Sequence, residues 1–324
     1  MLYISVVAIH TDLSSPSFKT SALFAKTRSF ELRVFDVRRL MALGREWACS
    51  NDKQKGNRQG MNYRILASDM DGTILRDDKT ISEETKEALR AFREAGGYLI
   101  VSSGRPYPAL TGYLKDLEPN APMVTYNGAK IVDPVDGHAF FEENMLEDDA
   151  VRIMEEGEKR GHTVIVWTDD ILYGSELNKN MEIYVYGTDT VPLKYESRDF
   201  FRGRSVTKII LNDDPAKIAV TMKDMGAIGL AGTTWATSGP EYLEFYSSKV
   251  SKALSVDRVA TMLGLSREDV CAVGDGRNDL EMIKYAALGV AMQNAPEDVR
   301  TRADFVTDSN ESDGVAKLIR TRIL

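Results

Sequence analysis

Arg64-Ile65-Leu66-Ala67-Ser68, followed at once by Asp69-Met70-Asp71-Gly72-Thr73, reads as a short apolar strand running into an acidic turn. In open α/β sheets, ligands bind at the carboxyl ends of the strands, where this turn falls. Two acids spaced i, i+2 can point the same way from an extended backbone, and Gly72 permits a sharp bend after them. One carboxylate of such a pair can attack phosphorus while the other manages the proton of the leaving alcohol and of water. A solvated acidic turn that merely ends a strand would have the same sequence.

Outward from this stretch, short apolar runs alternate with amphipathic helical segments, the pattern of a mostly parallel sheet. Ser82–Ala95 is predicted as a helix, with Ser82 as N-cap and Gly96-Gly97 as its stop. Tyr98–Ser102 is a second strand, Pro106–Leu117 a helix and Met123–Tyr126 a third strand, before a hairpin of Ala129–Val132 and His138–Phe141. From Leu146 to Ser247 the style changes. A helix over 146–160 is followed by strands at His162–Trp167, Ile171–Gly174, Val206–Leu211, Leu230–Ser238 and Tyr242–Tyr246, with a helix at Pro215–Met225. Hairpins between helices indicate a separate antiparallel α+β unit. After Lys252 the parallel pattern resumes. The expected organisation is a core of residues 61–145 and 248–324, interrupted by a second domain over 146–247.

Residues 1–60 differ from the rest. They hold ten Lys/Arg against five Asp/Glu, leaving 31 basic and 44 acidic residues for the remainder. The opening segment lacks a basic n-region and a clear cleavage site, and its acids fit a transit peptide poorly. It is read as a dispensable extension or upstream start rather than a targeting segment, and the location as cytoplasmic. The formal net charge of −8 disfavours a general nucleic-acid or anionic-membrane binder. No apolar run approaches the roughly 18 residues of a membrane span. Two cysteines are too few for a disulfide framework, and Cys271, inside an apolar run, is read as a buried free thiol. Three scattered histidines leave little from which to build a triad or a multi-histidine zinc site.

Three further segments bear on chemistry. Gly274-Asp275-Gly276-Arg277-Asn278-Asp279 follows the apolar strand Val270–Val273. Acid-rich glycine turns suit hard cations such as Mg²⁺, with Asp275 and Asp279 as candidate ligands, although Asn and Asp also cap helices. Ser102-Ser103-Gly104-Arg105-Pro106 closes the second strand, where a hydroxyl and free N–H groups can cradle phosphate; alone it reads more simply as a strand-to-helix turn. Lys252 precedes a helix and can neutralise phosphate, although an isolated lysine is more often a solvated one.

Taken together and in this order, the four segments resemble the haloacid dehalogenase superfamily, and within it the Cof-type (subfamily IIB) phosphatases, over roughly Tyr63 to Ile319. Tyr126-Asn127-Gly128-Ala129, Val250-Ser251-Lys252, Val290-Ala291-Met292-Gln293-Asn294-Ala295 and Asp313-Gly314-Val315-Ala316 belong to the likeness. The resemblance implies a Rossmann-like α/β core with an inserted α+β cap of the C2 type. It implies Asp69 as nucleophile and metal ligand, and Asp71 as general acid/base whose backbone carbonyl also binds Mg²⁺. Ser103, Gly104 N–H, Met70 N–H, Lys252 and Asn278 would hold the phosphoryl group. Asp275 would bind Mg²⁺ and Asp279 would support the metal's surroundings. Lys249 departs from the glycine common three residues before the motif lysine. Lys249, Lys252, Arg105 and Arg277 would form the basic patch that an acidic protein needs for an anionic substrate. The implied activity is Mg²⁺-dependent hydrolysis of small phosphorylated metabolites such as sugar phosphates, through an aspartyl-phosphate. A phosphomutase and a catalytically silent regulator that binds a phosphometabolite are the rivals.

Overall fold

The computed structural model describes residues 61–186 and 190–324; the expected extension, residues 1–60, lies outside them. Strand β1 (Ile65–Ser68) leads to helix α1 (Glu83–Glu94), which returns the chain to β2 (Tyr98–Val101). Ser82 caps α1 by accepting from the Thr85 N–H, and Ala88, Leu89 and Phe92 form its buried face. The next segment departs from expectation. Instead of one helix over Pro106–Leu117, a 3-10 turn at Tyr107–Tyr113 precedes the single α-turn α2 (Leu114–Leu117). Pro108 falls in the first turn, where a missing N–H costs little; Thr111, whose hydroxyl donates to the Pro108 carbonyl at 2.9 Å, and Gly112 favour the helix interior less. Strands β3 (Met123–Thr125), β4 (Lys130–Val132) and β5 (Ala139–Glu142) form an antiparallel meander. β3 touches the end of β2 through a parallel bridge of Ser102 with Val124.

Helix α3 (Glu147–Lys159) then opens the inserted unit, which contains β6 (Thr163–Thr168), β7 (Ile171–Gly174), α4 (Lys179–Val185) and β8 (Leu193–Lys194). It continues through β9 (Val206–Asn212), α5 (Pro215–Asp224), β10 (Thr233–Gly239) and β11 (Tyr242–Ser247). Strand β10 begins at Thr233, three residues later than expected, and both α4 and β8 were absent from the sequence reading. The chain re-enters the core with α6 (Lys252–Met262), β12 (Val270–Gly274), α7 (Leu280–Tyr285), β13 (Leu288–Ala291), α8 (Glu297–Arg300), β14 (Phe305–Val306) and α9 (Gly314–Leu318).

The core sheet runs β14-β13-β12-β1-β2, with every pairing parallel. Its residues alternate between two apolar layers. Leu66, Val101, Cys271 and Val273 meet Leu89 and Phe92 of α1 and Val315 and Leu318 of α9. Ile65, Ala67, Ile100 and Ala272 meet Val256 and Val259 of α6 and Met282 of α7. Burying both faces of the sheet requires helices on both sides, and the crossover connections supply them. Cys271 is a buried free thiol, as expected.

The cap sheet runs β10-β11-β9-β6-β7-β8. One face packs Val164, Ile209, Leu211, Leu243 and Phe245 against α3 and α5. The other presents Ile165, Trp167, Ile210 and Tyr246 to α4 and to Tyr126 and Ala129 of the core. This second face sits over the carboxyl ends of the core strands. Among the described residues no helix is long and apolar enough to cross a membrane.

Candidate active site

Asp69 is the first residue beyond β1, and its N–H donates to the Val273 carbonyl of the neighbouring strand at 3.0 Å. The side chain is nearly buried. Gly72 has φ +71°, and a Cβ there would lie 2.4 Å from the Asp275 carboxylate, so only glycine lets the two acidic turns approach. Thr73 joins them with a hydroxyl donated to Asp275 Oδ1 at 3.2 Å. Met70 buries its side chain in the core, leaving only its backbone to face the site.

Lys252 begins α6, with Ser251 as its N-cap. Its side chain is fully buried, and Nζ lies 2.5 Å from Asp69 Oδ1 and 2.6 Å from Asp279 Oδ1. The lysine is seated by the Tyr126-Asn127-Gly128 turn, in which all three residues have positive φ. A Cβ on Gly128 would lie 2.3 Å from the Ser251 carbonyl, and Ser255 Oγ donates to the Gly128 carbonyl at 2.7 Å. Asp279 gives its second oxygen to the N–H groups of Gly276 (2.8 Å) and Asp275 (3.2 Å).

Asp69, Asp275 and Asp279 each place one carboxylate oxygen within 4.8 Å of the others. Three carboxylates against one ammonium leave an excess of negative charge in a dry place. Burial and then the Asp279 charge raise the Asp69 pKa well above the carboxylate range, against the pull of Lys252. Burial and Asp279 likewise raise Asp275 to about 6. Burial would lower the Lys252 pKa, but the Asp279 and Asp69 charges outweigh it, and the ammonium is held protonated. An oxygen-only set with surplus negative charge fits a hard divalent cation such as Mg²⁺. Asp279 is already engaged by Lys252 and two backbone donors, so Asp69 and Asp275 are the more accessible ligands of the three.

Asp71 stands apart from this cluster. Arg105 grips its carboxylate with two bonds of 2.6 and 2.7 Å, and Lys79 adds a third at 2.9 Å. Burial would raise its pKa, but the Arg105 bonds and charge, with Lys79, lower it to about 2. Ser103, buried, accepts from the Arg105 N–H at 3.1 Å. Asn278 donates to Asn127 Oδ1 at 3.2 Å.

A cavity of about 390 Å³ lies between the core strand ends and the cap. Asp69, Asp71, Ser103, Gly104, Asp275 and Asn278 line its core side, and Trp167, Tyr184, Lys208 and Glu244 its cap side. Lys252 and Asp279 lie beneath Asp69 rather than on the wall. The expected basic patch needs correction. Arg277 turns outward to Asp298 at 2.9 Å and Lys249 pairs with Glu143 at 3.0 Å, and neither lines the cavity. Their places are taken by Lys79 and Lys208, which the sequence reading missed together with Glu244 and Tyr184. Lys208 and Glu244 carried a signal: each is a lone charge inside an otherwise apolar strand.

A profile of the haloacid dehalogenase-like hydrolases matches residues 66–319. The Bacillus subtilis phosphatase YitU, named for 5-amino-6-(5-phospho-D-ribitylamino)uracil, is 30% identical over 261 residues, covering 79% of this chain and 96% of that protein. YcsE of the same organism, named for the same substrate, is 30% identical over 272 residues, covering 82% and 98%. A haloacid dehalogenase-like hydrolase from Bacteroides thetaiotaomicron superposes with a TM-score of 0.71 at 27% identity, covering 80% of this chain and 98% of that one.

Proposed function

Because the chain belongs to the haloacid dehalogenase-like hydrolase family, and is a phosphatase of it, we propose that it hydrolyses small phosphorylated metabolites through an aspartyl-phosphate on Asp69. The observation that carries this reading is the buried Lys252 bridge between Asp69 and Asp279, beneath a cavity whose wall holds Asp69 and, two residues on, Asp71.

Asp69 offers a carboxylate oxygen that forms a bond to phosphorus as the ester oxygen–phosphorus bond breaks. Lys252 orients that carboxylate and offsets its charge as the phosphate dianion approaches. Ser103 and the N–H groups of Gly104 and Met70 bind the equatorial oxygens. The arriving phosphate competes with Asp71 for Arg105 and Lys79. As their hold loosens, Asp71 gains affinity for the proton that it gives to the departing alkoxide. It then takes a proton from the water that attacks the aspartyl-phosphate, releasing inorganic phosphate and restoring Asp69. Bound to Asp69, Asp275 and the Asp71 backbone carbonyl, with Asp279 supporting, Mg²⁺ would supply charge neutralisation at the phosphoryl oxygens.

Residues 146–247 are read as the lid of this site, joined to a core of 61–145 and 248–324. Water excluded by the lid strengthens every interaction on the phosphoryl group. The cavity suits a metabolite rather than a folded phosphoprotein. Its wall of Trp167, Tyr184 and Tyr242 beside the polar Ser238 accommodates a ring attached to a hydroxylated chain, the kind of molecule named for YitU and YcsE.

The test is phosphate release from a panel of sugar phosphates and phosphorylated ribityl compounds, with parent and Asp69→Asn proteins. Turnover that stops with a chelator, returns with Mg²⁺ and is absent from the folded variant is expected. Substantial turnover by Asp69→Asn would refute the covalent route, and isomer formation without phosphate release would favour a mutase.

A further inference from the structure

Lys208 and Glu244 form a nearly buried ion pair of 2.6 Å on the core-facing side of the cap sheet. The period-two alternation of β9 and β11 puts them there, since Ile209, Leu243 and Phe245 point to the opposite layer. The pair reaches across the domain boundary. Lys208 Nζ donates to the Gly104 carbonyl at 3.0 Å, and Glu244 accepts from Asn127 Nδ2 at 3.3 Å and from Ser238 Oγ at 2.7 Å. Asn127 passes the chain on, because its Oδ1 accepts from Asn278. Two separate phosphate-binding elements, the Gly104 loop and Asn278, are thus tied to one cap-borne pair.

Two features argue that the pair holds the core rather than awaiting a ligand. Its hydrogen-bonding capacity is largely spent, with three bonds accepted by Glu244 and two donated by Lys208. The turn whose Asn127 side chain it holds is also strained. Tyr126 and Asn127 are consecutive non-glycine residues at φ 52° and 56°, a conformation that persists where the surroundings enforce it. Cap residue Asp170 grips the same turn, accepting from Tyr126 Oη at 2.6 Å and from Lys130 Nζ at 3.0 Å. An apolar pair would fill the sheet without the desolvation cost of two charges.

We propose that Lys208 and Glu244 are positioning residues, a latch through which the docked cap holds the Gly104 loop and the Asn127–Asn278 pair in their phosphate-binding arrangement. The proposal rests on the phosphatase reading above. The latch acts on the phosphoryl site and not on the leaving group, so its loss affects all esters alike.

The test uses the full chain carrying Lys208→Met with Glu244→Met, a swap of a buried pair for apolar side chains that folds commonly tolerate. With the melting transition confirming the fold, kcat should fall by at least about fivefold on both a hexose 6-phosphate and p-nitrophenyl phosphate, by the same factor. Hydrogen exchange over residues 103–106 should quicken in the same protein. A smaller fall, a loss confined to one ester, or unchanged exchange would overturn the proposal. Should the double variant not fold, Lys208→Gln is read by the same measurements. Turnover by the parent tests the phosphatase reading separately, and if it hydrolyses neither ester, exchange alone decides on the latch.

Discussion

Two buried lysines divide the molecule's work. Lys252, at the start of a core helix, faces two carboxylates, with a third close by, and the group carries surplus negative charge. Lys208, in the middle of a cap strand, faces one carboxylate and a backbone carbonyl, and its group is balanced. The difference separates reactivity from placement. An unbalanced cluster of carboxylates is costly until a cation completes it, which is how a reactive site comes to hold a metal. A balanced buried pair is complete in itself and fixes the position of what it touches.

The sharpest way to break this contrast is to neutralise each lysine. Lys252→Met should reduce turnover by about a thousandfold or more, because the nucleophile loses its positioning charge. It should also cost roughly 3–5 kcal/mol of stability in the metal-free protein, as Asp69 and Asp279 are left buried without their partner. Chemical denaturation and steady-state rates check both. If the Lys252 and Lys208 variants lose activity equally, the division of labour fails. Next in size is Asp71→Asn, expected to slow turnover by about 10²–10⁴. The loss should be larger on alkyl than on activated aryl phosphates, since only alkyl leaving groups depend heavily on the proton. Equal losses on both would remove Asp71 from that role.

A smaller effect sharpens the account of charge surplus. Asp275→Asn relieves the crowding of three carboxylates, so with chelator present the variant should melt a few degrees above the parent, about 1 kcal/mol or more. Added Mg²⁺ should raise the parent's melting temperature and leave the variant's unchanged. A variant that melts lower under chelation would mean that Asp275 is held by favourable contacts and not crowded. The smallest effect expected is none. A chain that begins at Met61 should match the full chain in melting temperature and specific activity. It keeps the half-buried Met61 and the Asn62 N–H bond to the Ile323 carbonyl, which tie the start of the core to its end.

The core was the legible half. Three of its four motifs follow a buried apolar strand of the core, and strand plus acid- or glycine-rich turn is a local pattern that one sequence displays. Lys252 could be placed only through resemblance, because its partners Asp69 and Asp279 are 183 and 27 residues away. The cap was less legible. Lys208 and Glu244 are lone charges in otherwise uncharged strands but were not singled out, because which face they occupy depends on strand pairings formed only in the fold. Helix α4 was missed because its short run ends in Tyr184 and Val185, residues with strand preference, and it is held instead by Asn178 at its N-cap and by Tyr184 Oη accepting from Trp167 Nε1 at 2.9 Å. The expected helix at Pro106–Leu117 is α-helical only over Leu114–Leu117, after the weak helix formers Thr111 and Gly112.

The central claim is that Asp69 carries the phosphoryl group, and trapping that intermediate tests it most directly. A substrate labelled in its phosphate should be mixed with the Mg²⁺-loaded protein, quenched in acid within milliseconds, and the protein digested. The account predicts label on the peptide containing Asp69, formed and lost at rates that match turnover, and none in Asp69→Asn. Turnover that proceeds with no labelled peptide at any time, or with the label on another residue, would contradict it.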